Sequence, residues 1–275
     1  MSEFHRSILR KGMSEMTIQT LVSCVKQNME TIAERMNLQT DAIVINQCDT
    51  NEYLEYEHHG HKICCYSFAE KGVGLSRNNA LLRANADIIL FSDEDIVYED
   101  GYGDKILAEF EKHPDKDFLL FNMDVTAERA TYHTETETNV KWYNCGRYPT
   151  YSFAIRREKL HKANVTFSLL FGGGAKYSNG EDSIFIRDCL KKGLKMMAIP
   201  VTIGKEVPRP STWFNGYNEK FFFDRGVLYK YLYGCMATPF ALRFLLKHRN
   251  IMFQEKCSIT MKQAHSLMKK GFREL

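Results

Sequence analysis

IILFSDEDIVYEDGY, residues 88–102, passes within a few residues from the inside of a protein to a charged rim. Its four leading apolar residues, Ile88 to Phe91, predict a short buried strand. The chain leaves the apolar surroundings at Ser92 and presents Asp93, Glu94 and Asp95 in succession. Three carboxylates at the end of a core strand repel one another and are not buried unpaired. A divalent cation with a phosphate-bearing ligand on its far side is the usual solution. On that reading the stretch belongs to an enzyme that handles nucleotides or phosphates. On the plain reading it is an acidic surface turn.

Outward from this strand the chain alternates strands and helices. Residues 17–25 (TIQTLVSCV), 41–46 (DAIVIN), 62–68 (KICCYSF), 87–91 and 117–123 (DFLLFNM) read as strands. A helix is predicted over 26–38, where Met29, Ile32, Ala33 and Met36 recur at helical spacing. Another runs from Gly74 to Ala86, with Leu75, Ala80, Leu81 and Ala84 on its inner side. This order predicts an α/β fold, a mostly parallel central sheet flanked by helices. Ligands of such sheets bind beyond the carboxyl ends of the strands, and the acidic cluster lies at one of them.

After residue 125 the pattern loosens. Residues 126–139 are polar and predict an exposed excursion, 151–156 a strand, and 171–180 (FGGGAKYSNG) a mobile glycine-rich loop. A helix follows over 181–192, with Ile184, Phe185, Cys189 and Leu190 on one side and Gly193 as its stop. Residues 194–201 predict a further strand.

Two more stretches carry chemistry. Gly180-Glu181-Asp182 sets two carboxylates in the first turn of a helix. A helix N-terminus favours the ionised form, and an ionised carboxylate beside a loop can serve as a general base. Helix capping is the plainer role. Lys71 to Asn79 (KGVGLSRNN) places two glycines between a strand and a helix, which suits close approach of a phosphate. It lacks the Gly-Lys-Ser/Thr ending of a P-loop and the third glycine of a dinucleotide fingerprint. Arg77, one turn into that helix, is placed to reach a base or a phosphate.

Composition sets the outer bounds. The chain has 275 residues, 44% hydrophobic and 26% charged, which excludes a disordered protein. No apolar run reaches the 18 residues of a spanning helix, and the start MSEFHRSILRKGMSEM lacks the apolar core of a secretory signal. Eight cysteines, at 24, 48, 64, 65, 145, 189, 235 and 257, form no Cys-x-x-Cys pair. They predict free thiols in a reducing cytoplasm. Charge is uneven: residues 208–275 carry 12 Lys and Arg against 4 Asp and Glu, while the rest carries 25 against 30. A division at 207 is expected. Residues 1–207 form the main domain, with a nucleotide half over about 17–125 and an acceptor half over 126–207. Residues 208–275 form a basic, aromatic-rich helical extension.

Taken together, Gly74-Leu-Ser-Arg77-Asn78, a helix, a short apolar strand, Asp93-Glu-Asp95 and then Gly180-Glu181-Asp182 resemble the family-2 inverting glycosyltransferases of GT-A fold. The resemblance covers residues 17 to about 205 and is closest to non-processive members of the bacterial polysaccharide-synthesis type. It implies that Asp93 and Asp95 hold ribose and a Mn²⁺ or Mg²⁺ on a nucleotide diphosphate sugar, with UDP the expected carrier. It implies that Arg77 holds the uracil side, and that Asp182 is the general base with Glu181 as its neighbour. Ser23, Gln47 and Asp49 fall where the family contacts the nucleotide. There the chain departs from the family: the first strand ends Ser23-Cys-Val-Lys-Gln-Asn28 rather than Pro-x-Tyr-Asn, and the second ends Asn46-Gln47-Cys48-Asp49 rather than in paired aspartates. Residues 201–215 contain no histidine to complete a metal shell, so water would complete it. The Gln-x-x-Arg-Trp motif of processive members is absent, with Ser211-Thr212-Trp213 in that region, which implies addition of a single sugar.

The implied reaction is a direct displacement onto a saccharide or lipid-linked saccharide. Two alternatives stand beside it: a haloacid-dehalogenase-type phosphatase using Asp93 and Asp95 of DEDIV, and a nucleotide-sugar-binding module without turnover. His58-His59-Gly-His61 reads as an exposed loop without a fourth zinc ligand. Cys64 and Cys65 fall one thiol in and one out. Trp213-Phe214 and Phe221 to Phe223 either line the acceptor site or pack the extension. In that extension Pro239 is expected to divide two helices. Phe240, Leu242, Phe244, Leu245 and Leu246, with Lys230, Arg243, Lys247 and Arg249, suit either core packing or contact with anionic lipid at the inner face of the cell membrane. No nucleic-acid partner is expected.

Overall fold

The computed structural model describes residues 16–126, 132–208, 216–253 and 259–274. Its strands are β1 (Ile18–Val25), β2 (Asp41–Gln47), β3 (Glu52–His58), β4 (His61–Phe68), β5 (Ile88–Asp93), β6 (Ile96–Tyr98), β7 (Phe118–Asp124), β8 (Thr138–Asn139), β9 (Phe153–Arg156) and β10 (Met196–Glu206). They form one sheet in the order β3-β4-β2-β1-β5-β9-β7-β10-β6, with β8 added to β10. The mostly parallel sheet is present: β4, β2, β1, β5, β7 and β10 run one way. β9 runs against its neighbours β5 and β7 and splits the sheet into two parallel groups.

Helices cover both faces. Leu21, Ile43, Ile45, Ile89 and Phe91 meet α2 (Val73–Arg83) and α5 (Glu181–Lys191). Val22, Val44 and Leu90 meet α1 (Ile32–Arg35) and α3 (Tyr102–Lys112). Side chains alternating along each strand therefore feed two cores, and each strand reads as a nearly continuous apolar run.

Several elements differ from expectation. The helix predicted over 26–38 is a single turn, α1. Lys26 and Asn37 both take left-handed backbone, at φ 51° and 53°, and the Asn28 side chain accepts the Glu30 N–H in a local turn. The helical spacing reported burial of Ile32, Ala33 and Met36 rather than a long helix. The His58–His61 stretch is the turn of the β3–β4 hairpin, with φ +50° at His59 and +79° at Gly60. Such left-handed pairs match the twist of hairpin strands. Residues 126–139 are anchored where described: buried Asn122 accepts the Thr134 N–H and donates to its carbonyl. A short helix, α4 (Arg157–Ala163), follows β9.

The C-terminal part is helical: α6 (Glu219–Tyr233), α7 (Ala237–Lys247), α8 (Arg249–Met252) and α9 (Met261–Gly271). The break falls at Gly234–Met236, where Gly234 takes φ +57°. Pro239 lies in the first turn of α7, where its missing N–H has no helical partner to lose. Phe221, Phe222, Ala241, Leu245 and Met268 form a helical core of their own. Val227, Leu228 and Leu232 of α6 pack with Ile184 of α5. The stretches 211–213 and Trp213-Phe214 lie outside the described residues.

Candidate active site

Asp93 ends β5, and its register partner on β1 is Ser23. Ser23 accepts a hydrogen bond from the Ser76 hydroxyl of α2 at 3.0 Å, so α2 sits against the strand ends. That close seating needs Gly74: a methyl there would lie 2.4 Å from the Ser168 carbonyl oxygen. The open face of Gly74, expected to admit a phosphate, is thus filled by backbone. Gly72, at φ +129°, is held by both ends of the Gln47 amide. Gln47 donates to the Gly72 carbonyl at 3.0 Å and accepts its N–H at 2.8 Å.

Arg77 projects from α2 into the centre of this arrangement. Its side chain is 5% exposed and forks to two carboxylates, Asp93 at 2.9 Å and Glu181 at 3.0 Å. The Phe167 ring lies 5.3 Å from the guanidinium carbon. Arg77 Nε is buried without a hydrogen-bond partner. One cation therefore joins acidic stretches that are far apart in sequence, on β5 and at the start of α5. Glu94 is also met by the protein, its carboxylate accepting the Val25 N–H at 2.6 Å, while Asp95, 9% exposed, is tied through its backbone carbonyl to the Val207 N–H. The charge repulsion read from residues 93–95 is relieved in part without an ion.

Asp182 accepts the Ser183 N–H at 2.6 Å and the Ser183 hydroxyl at 3.2 Å. Burial, with Glu181 beside it, pushes its carboxyl up to about 6, against the pull of Ser183 and Arg77. The helix N-terminus does not hold it at the ordinary value, because desolvation outweighs the helix end. A carboxyl poised near 6 is ionised at neutral pH and still basic enough to accept a proton.

The loop before α5 is pinned rather than free. Tyr177 N–H donates to Leu170 and Gly172 N–H to Tyr177. Val73 N–H of α2 donates to Gly173. Ser178 donates through N–H and hydroxyl to buried Asp224 of α6, both at 2.9 Å. Lys176 pairs with Glu274 at 2.8 Å. The glycines serve this tight course: a methyl on Gly172 would meet the Glu181 carboxylate at 2.8 Å.

Asp49 stands apart, exposed, in an ion pair with Lys26 at 2.7 Å. Lys26 lines a polar cleft of about 430 Å³ together with Asn28, Asn46, Cys48 and Tyr53, at the carboxyl ends of β1 and β2. Phe167 and Ser183 went unnoticed in the sequence, and Ser76 was read only as part of the stretch that opens α2. Only Ser183, next to Asp182, carried a signal there.

For a hard cation, Asp93 and Asp95 offer carboxylate oxygens two residues apart. Among the described residues no group of three or more His, Cys, Asp or Glu is placed to hold a metal. A two-carboxylate set fits Mg²⁺ or Mn²⁺, which keep waters and take substrate phosphate oxygens.

The family model described as Glycosyl transferase family 2 matches residues 15–173. No curated protein matches the chain. Among solved structures, S. aureus TarS residues 1–349 is similar, with TM-score 0.63 and 14% identity, over 94% of this chain and 82% of that one. The same protein in complex with UDP-GlcNAc matches with TM-score 0.61 and 15% identity, over 86% and 73%. Its complex with UDP matches with TM-score 0.57 and 14% identity, over 86% and 72%.

Proposed function

The chain belongs to glycosyl transferase family 2, is a glycosyltransferase of GT-A fold, and from that premise we propose that it moves one sugar from a UDP-linked donor to a hydroxyl of a saccharide or lipid-linked saccharide, with inversion. Membership decides against the phosphatase and the non-catalytic module. One observation carries the finer reading: Arg77 draws the donor-side carboxylate Asp93 and the Glu181–Asp182 pair to one place at the strand ends. The UDP-GlcNAc and UDP complexes of TarS support a uridine nucleotide.

On this reading Asp182 takes the proton of the acceptor hydroxyl. The oxygen attacks the anomeric carbon from the face opposite the nucleotide, the bond to the diphosphate breaks, and the electron pair leaves with UDP. Asp93 and Asp95 would hold a Mn²⁺ or Mg²⁺, which supplies countercharge to the departing diphosphate. Arg77 and Asp93 border the nucleotide from within. Ser23 and Gln47 shape its seat through Ser76 and Gly72, and Asp49 faces it from the exposed side.

The enzyme works in the cytoplasm at the inner face of the membrane. Two features support this. The described cysteines are free thiols. On α7, Leu242 and Leu246 form an exposed apolar stripe beside exposed Arg243 and Lys247, while Ala241 and Leu245 face the core. No helix of the described residues is long and apolar enough to cross a membrane.

The test pairs two variants. Asp182→Asn is expected to bind UDP normally and to lose about 10²–10⁴-fold in transfer, the usual general-base contribution. Asp95→Asn is expected to abolish the Mn²⁺ dependence of UDP binding in calorimetry. Wild-type turnover by the Asp182→Asn variant, or Mn²⁺-dependent UDP affinity unchanged in the Asp95→Asn variant, overturns the respective role.

A further inference from the structure

Large aromatic rings are usually covered, because each has so much apolar area to hide. Two that are not stand side by side at one turn: Trp142 is 43% exposed and Tyr143 54%. The turn itself is rigid. Asn144, buried beneath it, accepts the Lys141 N–H at 2.6 Å and donates to the Asn139 carbonyl at 3.2 Å. Buried Cys145 donates its thiol to the Trp142 carbonyl, and Val140 N–H is bonded to Met196 of β10. The rings meet edge to face, 5.7 Å apart at 86°, and make a fixed corner open to solvent.

This corner is joined to the base. A methyl on Gly146 would lie 3.8 Å from Ser183 Oγ, the hydroxyl bonded to Asp182, and 3.2 Å from the Tyr233 hydroxyl. Tyr233 stacks on Phe240 at 3.8 Å, and Phe240 lies 6.0 Å from Trp142. A row of rings, Tyr233, Phe240 and Trp142, thus leads to the exposed pair, with Gly146 lying between Tyr233 and the Ser183 hydroxyl that bonds Asp182. Burial pushes the Cys145 thiol up to about 11, with Arg187 opposing and Asp182 adding to the rise.

We propose that Trp142 and Tyr143 form the platform on which a sugar ring of the acceptor stacks, beside the carboxylate that deprotonates its hydroxyl. A pyranose presents a face of slightly positive C–H groups, and an aromatic face is negative. A preformed corner holds such a ring with little loss of conformational freedom. Its hydroxyls stay free at the rim for the base to reach. Neither residue belongs to the motifs that placed the donor side. The proposal rests on the transferase reading for the role of Asp182.

A glycan array probed with the fluorescently labelled full chain in the presence of UDP tests it. The wild type is expected to retain a subset of saccharides. Trp142→Ala with Tyr143→Ala is expected to weaken that retention about tenfold or more, with UDP affinity by calorimetry unchanged. Trp142→Phe, which keeps a ring, is expected to restore most of it and so separates stacking from a folding defect. The chain has two tryptophans, so Trp213→Phe leaves Trp142 as the sole reporter, and its fluorescence should respond to retained saccharides and not to anionic vesicles. Equal retention by the double alanine variant overturns the platform. So does an array on which the wild type holds nothing, or a response of Trp142 to vesicles alone. Loss of UDP binding by the wild type would instead sink the transferase reading.

Discussion

Asp182 is held in opposition to the stability of its own fold. Its carboxyl is raised to about 6, so the folded state favours the protonated form. That contribution is fully present below the ordinary aspartate value near ~4 and is lost as pH rises through about 6. At neutral pH the ionised group costs up to about 3 kcal/mol. Asp182→Asn is therefore expected to raise Tm at pH 7.5 by roughly 3–8 °C and to leave it nearly unchanged at pH 4. Thermal melts at the two pH values check this. Activity should run the other way, with kcat/KM falling as pH drops below about 6. Arg77 has the opposite character. Arg77→Met leaves Asp93 and Glu181 facing one another without their cation, and is expected to cost about 2–4 kcal/mol in denaturant melts. Arg77→Lys should recover only part, since an ammonium cannot fork to two carboxylates. These residues were legible from order and spacing: an acidic strand end, an arginine one turn into a helix, an acidic helix start. What stayed hidden is what holds them. Phe167 comes from a stretch with no distinguishing pattern, and Ser76 sits inside a motif that gives no sign of its bond to Ser23. The two bonds of the Gln47 amide to Gly72 had no signal in the sequence.

At the level of elements, the crossing of α6 on α9 depends on having no side chain at two points. A methyl on Gly226 would lie 2.2 Å from the Met268 carbonyl oxygen, and one on Gly271 would lie 2.3 Å from that of Phe223. Both obstacles are backbone, so neither can swing away. Gly226→Ala and Gly271→Ala are each expected to destabilise by about 1–3 kcal/mol or more. Hydrogen exchange of 261–271 should quicken before that of the sheet. Strands were the better-read elements, because apolar runs such as 41–46 and 88–91 must be buried wherever they lie. β3 was missed: Leu54 and Tyr56 pack inward while Glu52, Glu55 and Glu57 stay exposed, and the charges masked the alternation. Charge of that kind suits an edge strand, where it discourages pairing with another chain. The helix over 26–38 was overread because three buried side chains at helical spacing do not require helical backbone between them.

Across the whole molecule the charge division survives folding as a surface feature. The basic residues Arg243 and Lys247 lie outward on α7, with Leu242 and Leu246 beside them and exposed Ile251 just beyond. Co-sedimentation with anionic vesicles is expected at low salt and should fade as ionic strength approaches ~1 M, where the screening length falls to about 3 Å. Replacing Arg243, Lys247 and Arg249 with Gln should weaken it, and neutral vesicles should retain little protein. The tail's charge was legible, but which of its apolar residues faced inward was not: Leu245 is core while its neighbour Leu246 is 55% exposed, a choice set by the partners of α7. The position of β9 matters at another moment in the life of the protein, its synthesis. The strands β4, β2, β1 and β5 are complete once residue 93 has left the ribosome, yet β5 keeps an open edge until β9 emerges at 153–156. Arg77 can reach Asp93 at once, whereas its second partner, Glu181, lies 104 residues downstream of it. At the usual ~5–20 residues per second that is a wait of roughly 5–20 s. Until residue 156 the nascent chain exposes an unpaired strand edge, and until residue 181 a half-satisfied arginine, the period in which a chaperone has most to protect.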